Sequence, residues 1–268
     1  MRLLLACSAA LCALALAPAS APAAGEIHPG VMTFTAGGQC TSSFVFRDAG
    51  GTYVGQAAHC SGTGAATDTN GCDSGSLPVG TPVEVDGATR PGTLVYNSWI
   101  TMQGRGETNP DACDYNDFAL VRLDPADVGR VDPSVPGFGG PTSVAAPPAN
   151  LGATVYTYGN SSLRAGVTKL SPKEGRVVQT QGNGWSRDVY TVTPGIPGDS
   201  GSGFLSATGQ AIGTLSTVQL LPLAGSNGVG NLSLELDYMR ANSSFTGVAL
   251  VPGTQPFRAD LVGAISGA

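Results

Sequence analysis

Apolar and β-branched residues occur along this chain in short runs, which clusters of glycine, proline, aspartate and asparagine separate. Each run is rich in valine, threonine, phenylalanine or tyrosine, and has the length of a strand rather than of a helix. The predicted strands are 44–46, 52–54, 83–85, 93–96, 118–123, 154–158, 175–179, 188–193 and 211–218. The pattern therefore predicts an all-β protein.

A change in composition divides these strands into two groups. Residues 131–150 consist mostly of Pro, Gly, Ala and Ser, and include five prolines. Because proline has no N–H to donate, it is excluded from central strands. We therefore expect a linker at 131–150 between one β-rich domain at 24–130 and a second at 151–268.

The end of the second domain departs from the strand pattern. Residues 232–241 are the one stretch with mostly good helix formers, so a helix is predicted there. A short strand is expected at 248–251. Residues 252–268 carry little pattern, and we expect part of this tail to be loosely held.

The first 23 residues have the composition of a secretory signal peptide. Met1 and Arg2 form a cationic start, residues 3–17 are apolar, and 21–23 (APA) match a small-residue cleavage site. The apolar run is too short for a transmembrane helix. We therefore expect a secreted, extracellular protein that is not attached to a membrane after the signal is removed.

Composition narrows the classes of partner. Only 12% of the residues are charged, whereas Gly (39) and Pro (19) are abundant, which suits short strands and turns. The net charge of −6 offers no basic surface, so nucleic acid is not an expected partner. We expect a monomer without a cofactor.

Four cysteines remain after the signal peptide: Cys40, Cys60, Cys72 and Cys113. An even number in an exported chain indicates two disulfides, and three pairings are possible. Zinc is the alternative, but the chain has no CxxC or CxxH spacing and only two histidines. No metal site is therefore expected.

A candidate nucleophile lies in the stretch 198–203 (GDSGSG), where small residues leave the Ser200 hydroxyl open to a substrate. A serine becomes a nucleophile when a base takes its proton and a third group orients that base. Of the two histidines, His59 ends an apolar run, whereas His28 precedes the first strand. Asp117 leads directly into strand 118–123, and its burial there would require a hydrogen-bond donor such as an imidazole.

Three segments together resemble the active-site motifs of the chymotrypsin-like (trypsin-fold, S1-type) secreted serine peptidases, with the bacterial members closer. These segments are 57–60 (AAHC), 116–120 (NDFAL) and 198–201 (GDSG), in the family's order of His, Asp and Ser. The resemblance implies two six-stranded Greek-key β-barrels with a C-terminal helix. It also implies a serine endopeptidase that acts on protein or peptide substrates.

The resemblance further implies a role for each matched residue. Ser200 would attack the substrate carbonyl, His59 would take its proton, and Asp117 would orient the imidazole. The backbone N–H groups of Gly198 and Ser200 would form the oxyanion hole. Asp111 and Asp114 are nearby alternatives to Asp117, but they lie in a polar loop.

Two structural supports also follow from the resemblance. A Cys40–Cys60 bridge beside the histidine is implied, which would leave Cys72 and Cys113 as the second pair. Asp199 is expected to form a buried ion pair that shapes the serine loop. Its candidate partners are Arg164, Arg176 and Arg187.

The expected specificity pocket lacks the charge that trypsin-like members use. Pro194 stands where those members carry an acidic residue, and Ser216 and Val218 would form the opposite wall. Val218 stands where many members have glycine, which would narrow the pocket. We therefore expect a small or apolar side chain before the cleaved bond. The alternative is a catalytically silent trypsin-fold binding protein, against which the intact His, Asp and Ser set argues.

Overall fold

The structure is a computed structural model that describes residues 26–65, 68–146, 151–219 and 225–268. The signal peptide predicted at 1–23 lies outside the described residues. Eight strands form one antiparallel sheet: β1 (Met32–Thr35), β2 (Gly38–Thr41), β3 (Val45–Asp48), β4 (Gly51–Gln56), β5 (Pro82–Val85), β6 (Gly92–Asn97), β7 (Ala119–Arg122) and β14 (Ala249–Leu250). Their order across the sheet is β14-β3-β4-β7-β6-β5-β1-β2.

The second sheet is a closed, six-stranded antiparallel barrel, as expected. Its strands are β8 (Thr154–Tyr158), β9 (Pro172–Gln181), β10 (Ser186–Thr191), β11 (Gly203–Ser206), β12 (Ala211–Gln219) and β13 (Ser226–Asn231). They follow one another around the barrel in the order β10-β13-β12-β11-β8-β9. The predicted all-β architecture is therefore confirmed.

The first sheet has eight strands where six were expected. The strand β2 is one addition, because it forms a hairpin with β1 at one edge. The other is β14, which returns from the end of the chain and pairs with β3, Leu250 opposite Phe46. The strand predicted at 248–251 therefore exists, but it belongs to the first sheet rather than to the second half.

The predicted helix is present as α3 (Leu232–Asn242), and three others were not predicted: α1 (Ser98–Arg105), α2 (Pro110–Tyr115) and α4 (Leu261–Gly267). The sequence of α1 is not helix-favouring, but the Asn97 side chain caps it by accepting hydrogen bonds from two backbone N–H groups. Trp99 and Met102 are buried on its inner face. Every helix in the described ranges is too short or too polar to cross a lipid bilayer.

Several residues of the C-terminal tail have contacts with the rest of the fold, although most of 252–268 is exposed. The N–H of Arg258 donates to the Phe138 carbonyl at 2.7 Å, and the Phe257 ring packs edge-on against Tyr156 at 5.7 Å. Ala264 of α4 is buried. The sequence of this tail predicts no regular element, because its few apolar residues have no periodicity. Some of them nevertheless pack against the rest of the fold.

One apolar core joins the two sheets and α3. Phe44, Phe118 and Leu120 come from the first sheet and its loops, Leu205 comes from the barrel, and Leu236 comes from α3. These side chains are almost completely excluded from water. The segment just before β7, where Asp117 lies, is therefore held at the junction between the two sheets.

Candidate active site

His59 lies in a one-turn 3-10 helix, Ala58–Ser61, directly after β4. Ala57 and Ala58 are buried, so the turn is anchored and only the imidazole side chain emerges, 28% exposed. The disulfide between Cys40 and Cys60 ties this turn to β2. A ring nitrogen of His59 and the two sulfurs lie within 4.8 Å of one another, but the bridge leaves neither cysteine a thiolate for a metal.

Asp117 is 4% exposed and accepts three hydrogen bonds. The Nδ1 of His59 donates to Oδ2 at 2.6 Å, and the backbone N–H of His59 donates to Oδ1 at 2.9 Å. The Ser216 hydroxyl donates to Oδ2 at 2.5 Å. Burial raises the pKa of Asp117, but the charge of His59 and these hydrogen bonds outweigh it and lower the pKa overall.

The ionised Asp117 fixes the state of the imidazole. Burial lowers the pKa of His59, whereas the charge and the hydrogen bond of Asp117 raise it, and the net shift is upward from 6.5. Because Nδ1–H donates to Asp117, the neutral ring has its free lone pair on Nε2. The pair therefore supplies a proton acceptor held in one tautomer.

We expect the imidazole of His59 to titrate with a midpoint above 6.5, since Asp117 stabilises its protonated form. Nitrogen-15 NMR is suited to this measurement because the chain has only two histidines. Asp117→Asn removes the charge and should move the His59 midpoint downward. A wild-type midpoint below 6.5, or no movement in the variant, would contradict this electrostatic coupling.

The Ser200 loop lies against the strand that leads to His59. Gly201 has φ +89°, and a Cβ there would collide with the Thr41 carbonyl and lie 3.1 Å from the Ala57 nitrogen. The Ser200 carbonyl accepts from the Thr41 N–H at 2.8 Å, and the Gly201 N–H donates to the Leu215 carbonyl at 2.7 Å. Leu215 precedes Ser216, so one short segment of β12 contacts both the serine loop and Asp117.

Gly198 turns the chain so that its carbonyl faces inward. It has φ +96°, a left-handed conformation that favours glycine, and a Cβ there would collide with Gln39. Its carbonyl accepts from the Thr41 hydroxyl at 2.7 Å and from Gln39 Nε2 at 3.1 Å. Among the described residues, no acceptor takes the N–H of Gly198 or of Ser200.

Asp199, between these two residues, is fully buried and contacts two cations. Arg164 binds both carboxylate oxygens, and the ammonium of Lys173 lies 2.6 Å from Oδ2. Burial raises the pKa of Asp199, but the hydrogen bond of Arg164 and the charge of Lys173 outweigh it and lower the pKa. The expected ion pair is therefore present, with Arg164 as one partner.

The other two candidate arginines lie elsewhere. Arg176 donates to the Gly152 carbonyl at 3.2 Å, and Arg187 is buried in the barrel, where it donates to the Ile212 carbonyl at 3.0 Å. Lys173 is a second partner that was not expected, since all three predicted partners were arginines. The signal available was a lysine entering a strand in a chain that has just two lysines.

The residues expected to form a specificity pocket are near one another. A Cβ on Gly195 would lie 3.4 Å from the Val218 methyl Cγ2, so the Val218 side chain faces the 194–195 backbone at van der Waals range. The Gly195 N–H is bound by Asn227 at 2.9 Å. The Pro194 carbonyl lies 3.5 Å from the Lys173 ammonium. Ser216, expected in the wall, gives its hydroxyl to Asp117.

A second carboxyl group, Glu235 of α3, lies close to Asp117 and was not anticipated. Its side chain is fully buried, and it occupies the space beside Gly230 that a Cβ there would need. Burial and the charge of Asp117 raise the pKa of Glu235 well above its usual value, although Arg187 opposes this. This shift favours the protonated, neutral form of Glu235 beside the Asp117 carboxylate.

The second disulfide joins Cys72 to Cys113. Cys113 lies in α2, which ends two residues before Asp117. Asp111 accepts from the side chain of Asn183, and Asp114 accepts from Asn70 at 3.2 Å on the exposed side of this helix. Neither rival carboxylate contacts His59, whereas Asp117 does.

Known proteins resemble this chain in sequence and in structure. The sequence profile described as trypsin-like peptidase domain matches residues 41–213. Thermobifida fusca Protease A is similar in structure, with TM-score 0.54 and 20% identity, over 85% of this chain and 99% of that one. A glutamic acid specific serine protease has TM-score 0.51 and 19% identity, over 84% and 100% of the two chains. These identities show the fold alone, and a comparison with curated proteins finds no match.

Proposed function

Because this chain belongs to the trypsin-like peptidase family, we propose that it is a secreted serine endopeptidase. It would cleave peptide bonds through Ser200, His59 and Asp117 by way of an acyl-enzyme. The observation that carries the proposal is the contact between the His59 Nδ1 and the buried Asp117, 2.6 Å apart, beside the serine loop. A pure binding protein has no chemical need for such a pair.

In the proposed reaction the Ser200 oxygen attacks the carbonyl carbon of the substrate while Nε2 of His59 takes the hydroxyl proton. The imidazolium is stabilised by Asp117 and then gives that proton to the departing amine. Water repeats the sequence on the acyl-enzyme, which releases the acid product and restores the Ser200 hydroxyl. Asp117 remains ionised throughout, in keeping with its lowered pKa.

The N–H groups of Gly198 and Ser200 would hold the negative oxygen of the tetrahedral intermediate. Support comes from the loop itself, since neither group has an acceptor among the described residues and the Gly198 carbonyl is turned inward. Loss of one such donor costs about a hundred- to thousandfold in rate. No side-chain replacement at Gly198 can keep the φ of +96° without strain.

We propose a small or apolar side chain before the cleaved bond. Pro194 supplies no negative charge for a lysine or arginine, and the Lys173 ammonium lies behind its carbonyl. The similar glutamic acid specific protease is described as using a histidine triad in substrate binding. This chain has only two histidines, and His59 is bound to Asp117, so it cannot form such a triad.

Val218→Gly should widen this pocket. The valine is 47% exposed and faces Gly195, so its removal opens space without leaving a core cavity. We expect kcat/KM for substrates with phenylalanine at this position to rise about tenfold, and alanine substrates to change little, because one apolar contact changes discrimination by 1–3 kcal/mol. Val79→Gly, in the loop before β5 and with similar exposure, is the control. An unchanged ratio of kcat/KM between phenylalanine and alanine substrates would contradict the role given to Val218 in the pocket wall.

A peptide library tests the proposed activity. The purified mature protein should cleave internal peptide bonds, and Ser200→Ala should not, although both fold alike. Preference for lysine or arginine before the cleaved bond would refute the pocket proposal. If the folded wild type cleaves nothing, the catalytically silent binding protein becomes the better account.

A further inference from the structure

The charges beneath the serine loop do not balance. Asp199 is fully buried, and its two partners are nearly so, since the side chains of Arg164 and Lys173 are 7% and 3% exposed. No other carboxylate of the described residues forms an ion pair with either cation. One carboxylate thus faces two cations, which leaves an excess positive charge in a protected place.

An excess buried charge is unfavourable for folding, so its presence needs a reason. A single cation already satisfies the Asp199 carboxylate, because Arg164 binds both oxygens in the two-pronged geometry that best fits a carboxylate. The backbone N–H of Ile196 adds a further hydrogen bond at 3.2 Å. Arg164 and the Ile196 N–H are therefore enough to hold Asp199 in place, and Lys173 is not needed for that purpose.

The excess positive charge lies at the loop that carries Ser200, and this position indicates its role. Asp199 lies in sequence between Gly198 and Ser200, whose N–H groups have no acceptor among the described residues. The two cations therefore bind the same short loop that carries the peptide units proposed to receive a negative oxygen. The Lys173 ammonium also lies 3.5 Å from the Pro194 carbonyl, within the wall beside that loop.

We propose that Lys173 is a positioning and electrostatic residue whose unbalanced positive charge stabilises the oxyanion that forms above Gly198 and Ser200. This inference rests on the proposed function, because it needs Ser200 to be the nucleophile. It adds a second cation to the single ion pair that the family resemblance implies. A fixed charge that is already in place when the oxyanion forms lowers the barrier without reorganisation.

The contact with Asp199 opposes the effect of burial on Lys173. Burial lowers the pKa of Lys173 and the charge of Arg164 adds to this, the charge and hydrogen bond of Asp199 raise it, and the net shift is downward from 10.5. The 2.6 Å contact with a carboxylate of lowered pKa favours the ammonium form. In general, a unit charge within about 8–10 Å of a developing oxyanion, at an effective dielectric constant of about 20, changes the rate by roughly ten- to thirtyfold.

Three variants test the proposal. Lys173→Met keeps the length of the side chain and leaves Arg164 on Asp199. Arg164→Gln removes the other positive charge beside Asp199 and leaves Lys173 in place. Lys169→Met is the matched control, since Lys169 is the only other lysine and is exposed. Each is assayed for kcat and KM on a peptide amide after active-site titration, and for affinity toward a peptide boronic acid.

Lys173→Met and Arg164→Gln are each expected to lower kcat about ten- to thirtyfold with KM within twofold, and to weaken boronate binding by a similar factor. Lys169→Met should match the wild type. Unchanged kcat in Lys173→Met, or a loss that active-site titration attributes wholly to inactive protein, would overturn the inference. If Lys173→Met does not fold, Lys173→Gln, which also removes the charge but keeps a polar group toward Asp199, decides by the same criteria. A wild type without turnover would instead refute the proposed function on which the inference rests.

Discussion

Asp117→Asn is expected to lower kcat about 10⁴-fold, the size of loss that a wrong imidazole tautomer causes in enzymes of this fold. The asparagine fits the site, because its oxygen can still accept from the His59 N–H or from the Ser216 hydroxyl. It cannot stabilise an imidazolium, and its amide group can donate to Nδ1 and so place the ring proton on Nε2. Nε2 of His59 would then carry a proton and could not accept the proton of the Ser200 hydroxyl.

The control for this variant is Asp114→Asn, which removes an exposed carboxylate three residues away. It should keep kcat within twofold and should leave thermal stability unchanged. Asp117→Asn should also remain folded, since the replacement has the same shape and its one oxygen still accepts from the His59 N–H or from the Ser216 hydroxyl. A folded Asp117→Asn protein with nearly full activity would show that His59 is not oriented by this residue.

Asp199→Asn is expected to affect both activity and stability. The buried carboxylate is the only anion that faces Arg164 and Lys173 among the described residues, so its loss leaves two buried cations unpaired. Breaking a buried pair in this way costs about 3–5 kcal/mol. For a domain of this size we expect the melting temperature to fall by roughly 10 °C.

The activity of Asp199→Asn should fall with the stability, because the same side chain fixes the loop. The Asp199 carboxylate binds the Ile196 N–H, and its own backbone carbonyl accepts from Ser202 at 3.0 Å. Asp237→Asn is the control, since it breaks an exposed ion pair with Arg240. Calorimetry and titration of active sites would check both effects, and an Asp199→Asn protein as stable and active as wild type would refute the role given to the cluster.

Several features of the site are local in sequence, and these could be predicted. Strands such as β4 and β7 are apolar runs bounded by turn residues, and the histidine and aspartate stand next to them. Glycine at 198 and 201 marks backbone that only glycine adopts easily, which the structure shows as φ +96° and +89°. The resemblance then supplied the order of the three motifs.

Features that depend on distant parts of the chain could not be predicted. The pairing of β14 with β3 joins segments some two hundred residues apart, and two residues carry no periodicity of their own. Lys173 is buried beside Asp199 because the barrel brings β9 to the loop before β11, and Glu235 is buried beside Asp117 because α3 packs against the first sheet. Charged residues are usually exposed, so composition gave no reason to place them inside.

The central claim is that Ser200 is a nucleophile activated by His59 and Asp117. Its most direct test is treatment of the folded mature protein with an active-site-directed fluorophosphonate, followed by mass spectrometry of the peptides. The account predicts one covalent adduct on Ser200 and none in Ser200→Ala, with labelling much slower in His59→Ala. A folded wild-type protein that gains no adduct on Ser200 would contradict it.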